Sequence, residues 1–163
     1  MQGDARVIEF LNKALTNELT AINQYWLHYR MLHNWGVRRL AEFERHESID
    51  EMKHADRLAD RVLFLEGLPN FQRIDNLKIG ENVEEILGAD LALELEAIPL
   101  LRDAIQHCEG MRDYVSRELF EDILANEEEH VDFLERQFEM IARMGLQNYV
   151  QLNSKSAGED DEG

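Results

Sequence analysis

Apolar residues recur at steps of three and four along most of the chain, the signature of amphipathic helices. The first stripe reads Ile8, Leu11, Leu15, Glu18, Ile22, Tyr25, Tyr29, Leu32 and closes near Asn34-Trp35-Gly36. The second reads Leu40, Phe43, Glu47, Glu51, His54, Leu58, Val62, Leu65 and stops at Glu66-Gly67-Leu68-Pro69-Asn70. The third runs Val83, Leu87, Leu91, Glu94, Ile98, Leu101, Ile105, Cys108 to Gly110, and the fourth Phe120, Ile123, Glu127, His130, Leu134, Phe138, Ile141 to Gly145. Each predicted helix is on the order of 40–45 Å long. Short turns join the first to the second and the third to the fourth, so each pair is expected to be an antiparallel hairpin. The connection from Gly67 to Asn82 reaches roughly 50 Å when extended, enough to run the length of a bundle. The expected fold is all-α, a four-helix bundle with one long crossover connection. Pro99 falls inside the third helix, where a local kink is expected.

Each stripe carries the same anomaly near its middle: a carboxylate, or a carboxylate with a histidine, interrupts an apolar seam. These residues are Glu18, then Glu51 with His54, then Glu94, then Glu127 with His130. Glu18 and Glu94, Glu51 and Glu127, and His54 and His130 each stand 76 positions apart. Their surroundings repeat as well. Glu18-Leu19-x-Ala21-Ile22 matches Glu94-Leu95-x-Ala97-Ile98, and Glu51-x-x-His54-x-Asp56-x-Leu58 matches Glu127-x-x-His130-x-Asp132-x-Leu134. Two hairpins related by a pseudo-two-fold axis would bring all six side chains together at mid-bundle. A single Glu-x-x-His on an acidic helix is ordinarily surface charge patterning. Two copies on seams, with two further seam glutamates at matched offsets, are not.

Unpaired carboxylates on a core seam are costly to bury as ions unless they protonate or meet cations. Four of them balance two divalent metals, with both histidines neutral and able to ligate. In Glu-x-x-His the two side chains share one helical face and can reach one metal. Oxygen-rich ligation with one imidazole per metal suits iron or manganese better than a thiolate-rich zinc site.

Composition sharpens this picture. The 163 residues suffice for one domain, with 34 Asp and Glu against 17 Lys and Arg and a formal charge of −17. That balance argues against binding nucleic acid or an anionic membrane and fits a protein that handles cations. The lone Cys108 excludes a disulfide framework and every CxxC motif, and reads as a buried small hydrophobe. No apolar run approaches a membrane span, and Met1-Gln2-Gly3-Asp4 does not open a signal peptide, so a cytoplasmic location is expected. We expect one domain over 1–153, with the bundle to about residue 145 and a short fifth helix over 146–152. Residues 154–163, with Glu159-Asp160-Asp161-Glu162, are expected to be a disordered acidic tail.

From about Asp4 to Asn153 the sequence resembles the bacterioferritins. Beyond the six seam residues, the likeness rests on His46-Glu47-Ser48-Ile49-Asp50-Glu51-Met52-Lys53-His54-Ala55-Asp56, Phe64-Leu65-Glu66-Gly67-Leu68-Pro69-Asn70 and Glu127-Glu128-Glu129-His130-Val131-Asp132-Phe133-Leu134. The resemblance implies a ferritin-like bundle and a hollow twenty-four-subunit shell that stores ferric mineral. It implies two iron ions per subunit at a ferroxidase centre that oxidises Fe(II) with O2 or H2O2. By that likeness Glu51 and Glu127 bridge the irons, Glu18 and His54 complete one, and Glu94 and His130 the other. It also implies a small ferredoxin partner for iron release, and leaves open a shell mixed with a second subunit type.

Met52 follows Glu51 and points about 100° from the metal seam. On spacing alone it is an interface methionine. The resemblance instead makes it the ligand of a b-type haem shared between two subunits, one sulfur from each. His46 and Asp50, four apart on a face roughly opposite Met52, resemble an accessory iron site on the inner surface; the bland alternative is a solvated ion pair. Tyr25 lies two turns after Glu18, either as a buried tyrosine with a satisfied hydroxyl or as an extra one-electron donor. Trp26 and Trp35 read as packing residues, and Asn148 and Gln151 match family positions near four-fold channels. Two other classes remain in play. A rubrerythrin-like oxidase or peroxidase would carry a CxxC…CxxC module, absent here, and a purely structural or haem-binding bundle leaves the double repeat unexplained.

Overall fold

A computed structural model describes residues 1–158; the acids Glu159 to Glu162 of the expected tail lie outside the described residues. Five helices carry the chain: α1 (Ala5–Asn34), α2 (Arg38–Phe64), α3 (Val83–Gly110), α4 (Tyr114–Met144) and α5 (Leu146–Leu152). No strand occurs among the described residues. Local chemistry sets the helix starts. Asp4, Asn82 and Asp113 each accept a backbone N–H from the first turn of α1, α3 and α4, at 3.0, 2.9 and 3.0 Å, satisfying donors that a helix leaves unpaired. The hairpin turns need left-handed backbone, which Gly36 supplies after α1 at φ +84° and Arg112 before α4 at φ +59°.

α1 packs along α2 and α3 along α4, while α1 meets α3 and α2 meets α4, so the bundle closes as expected. α3 runs unbroken through Pro99. The proline deprives the Leu95 carbonyl of its donor, but Leu95 is half exposed and lies on the solvent side of the helix.

The crossover over 65–82 is laced to one face of α1. Asn70 N donates to Asn12 Oδ1 at 2.9 Å, Asp75 N to Thr20 Oγ1 at 3.0 Å, Lys78 N to Gln24 Oε1 at 2.9 Å and Gly80 N to His28 Nε2 at 3.1 Å. The acceptors fall eight, four and four residues apart, the repeat of one helical face. They satisfy the backbone of a segment that has no ladder of its own.

The apolar core forms in two blocks. One holds Leu11, Leu15, Leu58, Val62, Phe120 and Ile123, with Cys108 buried among them as expected. Burial pushes its thiol up to about 11, so it stays protonated. The other block holds Leu32, Leu40, Ile86, Leu87, Leu134 and Tyr149, the last from α5. Between the blocks lie the charged side chains. Past α5, Ser154 Oγ donates to the Val150 carbonyl at 2.7 Å, and Lys155 pairs with Glu42 of α2.

Candidate metal centre

Glu18 of α1, Glu51 and His54 of α2, Glu94 of α3, and Glu127 and His130 of α4 all point into the middle of the bundle. Their exposures run from 2% to 6%, so none relies on solvent to carry its charge. One ligating atom from each of Glu18, Glu51, His54 and Glu127 lies within 4.8 Å of the others, and the same holds for Glu94, Glu127 and His130. Glu127 belongs to both sets and joins them.

His54 Nδ1 stands 3.7 Å from Glu18 Oε1, 3.6 Å from Glu51 Oε2 and 3.7 Å from Glu127 Oε1. Those separations are too long for hydrogen bonds and suit atoms gathered around a common cation. His130 Nδ1 lies 3.2 Å from Glu94 Oε1 and 3.5 Å from Glu47 Oε2. Four buried atoms of these six side chains lack any hydrogen-bond partner: His54 Nδ1, Glu94 Oε2, Glu127 Oε1 and His130 Nε2. Buried polar atoms are rarely left in that condition. The donor set, carboxylate oxygens with one imidazole on each side, therefore fits a pair of iron or manganese ions.

Electrostatics agree with a site that expects positive charge. Burial, reinforced by the neighbouring Glu51 carboxylate, holds the Glu127 carboxyl well above the usual carboxylate range. Burial alone would depress His130, but the Glu94 hydrogen bond and the charges of Glu94, Glu47 and Glu51 push it up to about 9. The metal-free centre thus retains protons at neutral pH.

The centre faces out on two sides of the bundle. Between α1 and α3, Asn17, Ala21, Leu93 and Ala97 close over Glu18, Glu51, Glu94 and Glu127 and leave a void of only about 10 Å³. Between α2 and α4 lies a cleft of about 230 Å³ that reaches Glu51, His54 and His130. His46 and Asp50 line that cleft, with Nε2 and Oδ2 3.4 Å apart and side chains 70% and 37% exposed. Glu47 is there too, half-buried beside His130, and burial raises its carboxyl. Sequence reasoning counted Glu47 in the α2 stripe without giving it a role. Its place one turn before Glu51 was the available signal.

Tyr25 is fully buried, its hydroxyl donates to Glu94 Oε1, and its ring meets the His130 ring edge-on at 5.3 Å. Its hydroxyl is satisfied by a candidate ligand, which holds that carboxylate in place. Met52 lies apart from the six mid-bundle side chains with 52% of its surface exposed. Trp26 and Trp35, expected as packing residues, are also partly exposed; Trp26 packs edge-on against Tyr29 and beneath Arg45. Asn148 of α5 donates to the Met144 carbonyl at 2.8 Å, and Gln151 is exposed on the same helix.

Among the described residues no helix is long and apolar enough to cross a membrane. The family model of the ferritin-like domain matches residues 8–144. A protein of Brucella melitensis biotype 1 named bacterioferritin is 51% identical over 159 residues, covering 98% of this chain and 99% of its own. Bacterioferritins of Rhodobacter capsulatus and Mycobacterium avium are 51% and 49% identical, over 94% and 91% of this chain and 96% and 94% of theirs.

Proposed function

Since the chain belongs to the bacterioferritins, within the ferritin-like family, we propose that it stores iron and oxidises Fe(II) at the mid-bundle centre. The observation that carries this reading is the convergence of six buried ligands, four of them with an unpartnered atom, where four helices meet. Glu18 and His54 hold one iron, Glu94 and His130 the other, and Glu51 and Glu127 lie between them. The substrate is Fe(II). Two ions give up one electron each; with two protons, O2 becomes H2O2, or H2O2 becomes two waters. Delivering both electrons from one site limits release of one-electron oxygen products.

The side chains divide the remaining work. Glu18, Glu51, Glu94 and Glu127 supply four negative charges that match two divalent ions in a water-poor interior. Tyr25 fixes Glu94 by its hydroxyl, as a donor behind a metal ligand orients it. The cleft between α2 and α4, with His46, Glu47 and Asp50, offers the ferric product carboxylates and an imidazole on its way out. His46 and Asp50 act there as an accessory iron site. The exit leads to the interior of a twenty-four-subunit shell, where mineral accumulates.

We test the centre with Glu18→Ala and His130→Ala. Each is expected to slow rapid Fe(II) oxidation in stopped flow while assembly, followed by size-exclusion chromatography, is retained. Unchanged kinetics in both would remove the catalytic assignment.

The residues also fit a haem. A thioether with half its surface exposed, on the residue next to Glu51 but turned away from the centre, suits a ligand shared across a two-fold axis with a second copy of the chain. Two thioethers favour ferrous haem, and the group would supply an electron path for returning ferric iron to Fe(II), driven by a small ferredoxin. Met52→Leu is expected to abolish the absorption bands of the reduced haem; retained bands would point to another ligand.

A further inference from the structure

Asp90 lies one turn before Glu94 on α3, and Glu44 two turns before Glu51 on α2. With His28 of α1 they form a separate group in which one ligating atom of each lies within 4.8 Å of the others. All three side chains are completely buried. Asp90 Oδ1 accepts from Gln24 Nε2 at 3.0 Å and lies 2.8 Å from His28 Nδ1. His28 Nε2 accepts the backbone N–H of Gly80 at 3.1 Å, so the ring proton sits on Nδ1 and is donated to Asp90. Gln24 is held the same way, its Oε1 accepting from Lys78 N at 2.9 Å. The crossover therefore sets both donors, and the donors set the Asp90 carboxylate.

Three oxygens are left over. Asp90 Oδ2, Glu44 Oε1 and Glu44 Oε2 are buried and have no hydrogen-bond partner. A proton shared between the two carboxyls would satisfy two of these oxygens through one O–H···O bond and leave the third bare. A cation satisfies all three together. Two carboxylates also neutralise one divalent ion, and a ligating carboxylate is ordinarily oriented by donors on its other oxygen, as Asp90 is here.

We propose that Glu44 and Asp90 form a further cation site, for a hard divalent ion such as Mn(II) or Fe(II). Glu44 supplies both oxygens and Asp90 its Oδ2, while His28 and Gln24 are positioning residues. An all-oxygen donor set selects hard ions over zinc or copper. Along the helices the site lies roughly 6–10 Å from the mid-bundle centre. Glu44, Glu47 and Glu51 succeed one another on α2, so the ion has a row of carboxylates leading to that centre. Its use as a holding position for iron rests on the proposed function; the binding of a divalent ion does not.

The test uses the assembled protein soaked with Mn(II) and mapped by anomalous scattering. A peak between Glu44 and Asp90 is expected in addition to those among the six central ligands. Glu44→Gln is expected to lose that peak, and to bind one Mn(II) fewer per chain in equilibrium dialysis, with the central peaks unchanged. A wild-type map with central peaks and none at Glu44 overturns the site and leaves the pair sharing a proton. So does unchanged stoichiometry in Glu44→Gln. The wild-type map needs no substitution, so a variant that misfolds does not decide the matter. Loss of the central peaks alone would bear on the proposed ferroxidase and not on this site.

Discussion

His130 and Glu127 share one face of α4, and each holds a proton that an incoming metal must displace. His130 ionises near 9, so it is a cation throughout the neutral range, and only its neutral form ligates. Glu127 is likewise held protonated above the ordinary carboxylate range by burial and by Glu51. Raising the pH toward 9 removes the competing His130 proton, so divalent affinity rises, and binding at neutral pH releases protons to solvent. Anaerobic Fe(II) titrations between about pH 6 and pH 8, with an indicator dye following released protons, check this. An affinity that is flat in pH, or binding without proton release, would contradict it. Tyr25 acts on Glu94 of the same centre. Its hydroxyl and one oxygen of Glu94 satisfy each other, which leaves Glu94 Oε2 as the atom available to a metal.

The crossover from α2 to α3 is held by α1. Its extended backbone has no ladder, and four α1 side chains take that role. Gly80 marks the tightest approach: a Cβ there would lie 2.3 Å from Ile86 N and 2.7 Å from Ile86 Cα, both backbone atoms at the start of α3. No side-chain rotation relieves that contact. Gly80→Ala is therefore expected to cost about 1–3 kcal/mol, as overpacking does, read as a lowered Tm in calorimetry. It should also displace the N–H that fixes His28. An unchanged Tm would mean that α3 shifts freely, against its Asn82 cap. The same elements show where sequence reasoning stopped. The four long helices were legible because a period near 3.6 persists over six or more turns. The six side chains that converge at mid-bundle were legible because they break that period at matched offsets. Glu44 and Asp90 break nothing: each stands off its stripe, beside Phe43 and Leu91, and reads as surface charge on an acidic helix. Their burial comes from flanks that only assembly of the bundle covers, with the crossover and α5 packed against it. The role of Asn12, Thr20, Gln24 and His28 was illegible for the same reason, since their partners are backbone groups of a segment with no pattern of its own.

At the scale of the whole molecule, charge and apolar surface pull in opposite directions. A chain of −17 repels its own copies, and the repulsion grows as subunits gather. Yet Met52, Leu63, Phe64, Leu68, Phe71 and Ile74, from α2 and the crossover that follows it, are all about half exposed or more. Apolar side chains so concentrated in one stretch mark a surface meant to be covered. The proposed shell would reconcile the two, with subunit contacts burying the apolar stretch while cations taken inside offset the acids. Phe71→Asp places a charge in that stretch without touching the centre. It is expected to shift the protein from a large assembly to dimers or monomers in sedimentation velocity, most strongly at low ionic strength, where the acidic surfaces are least screened. The freed subunits should still bind metal at mid-bundle, since all six ligands come from one chain. They should fail to retain mineral, for want of an enclosed interior. Phe71→Asp that sediments as wild type at low salt would remove this stretch from the interface.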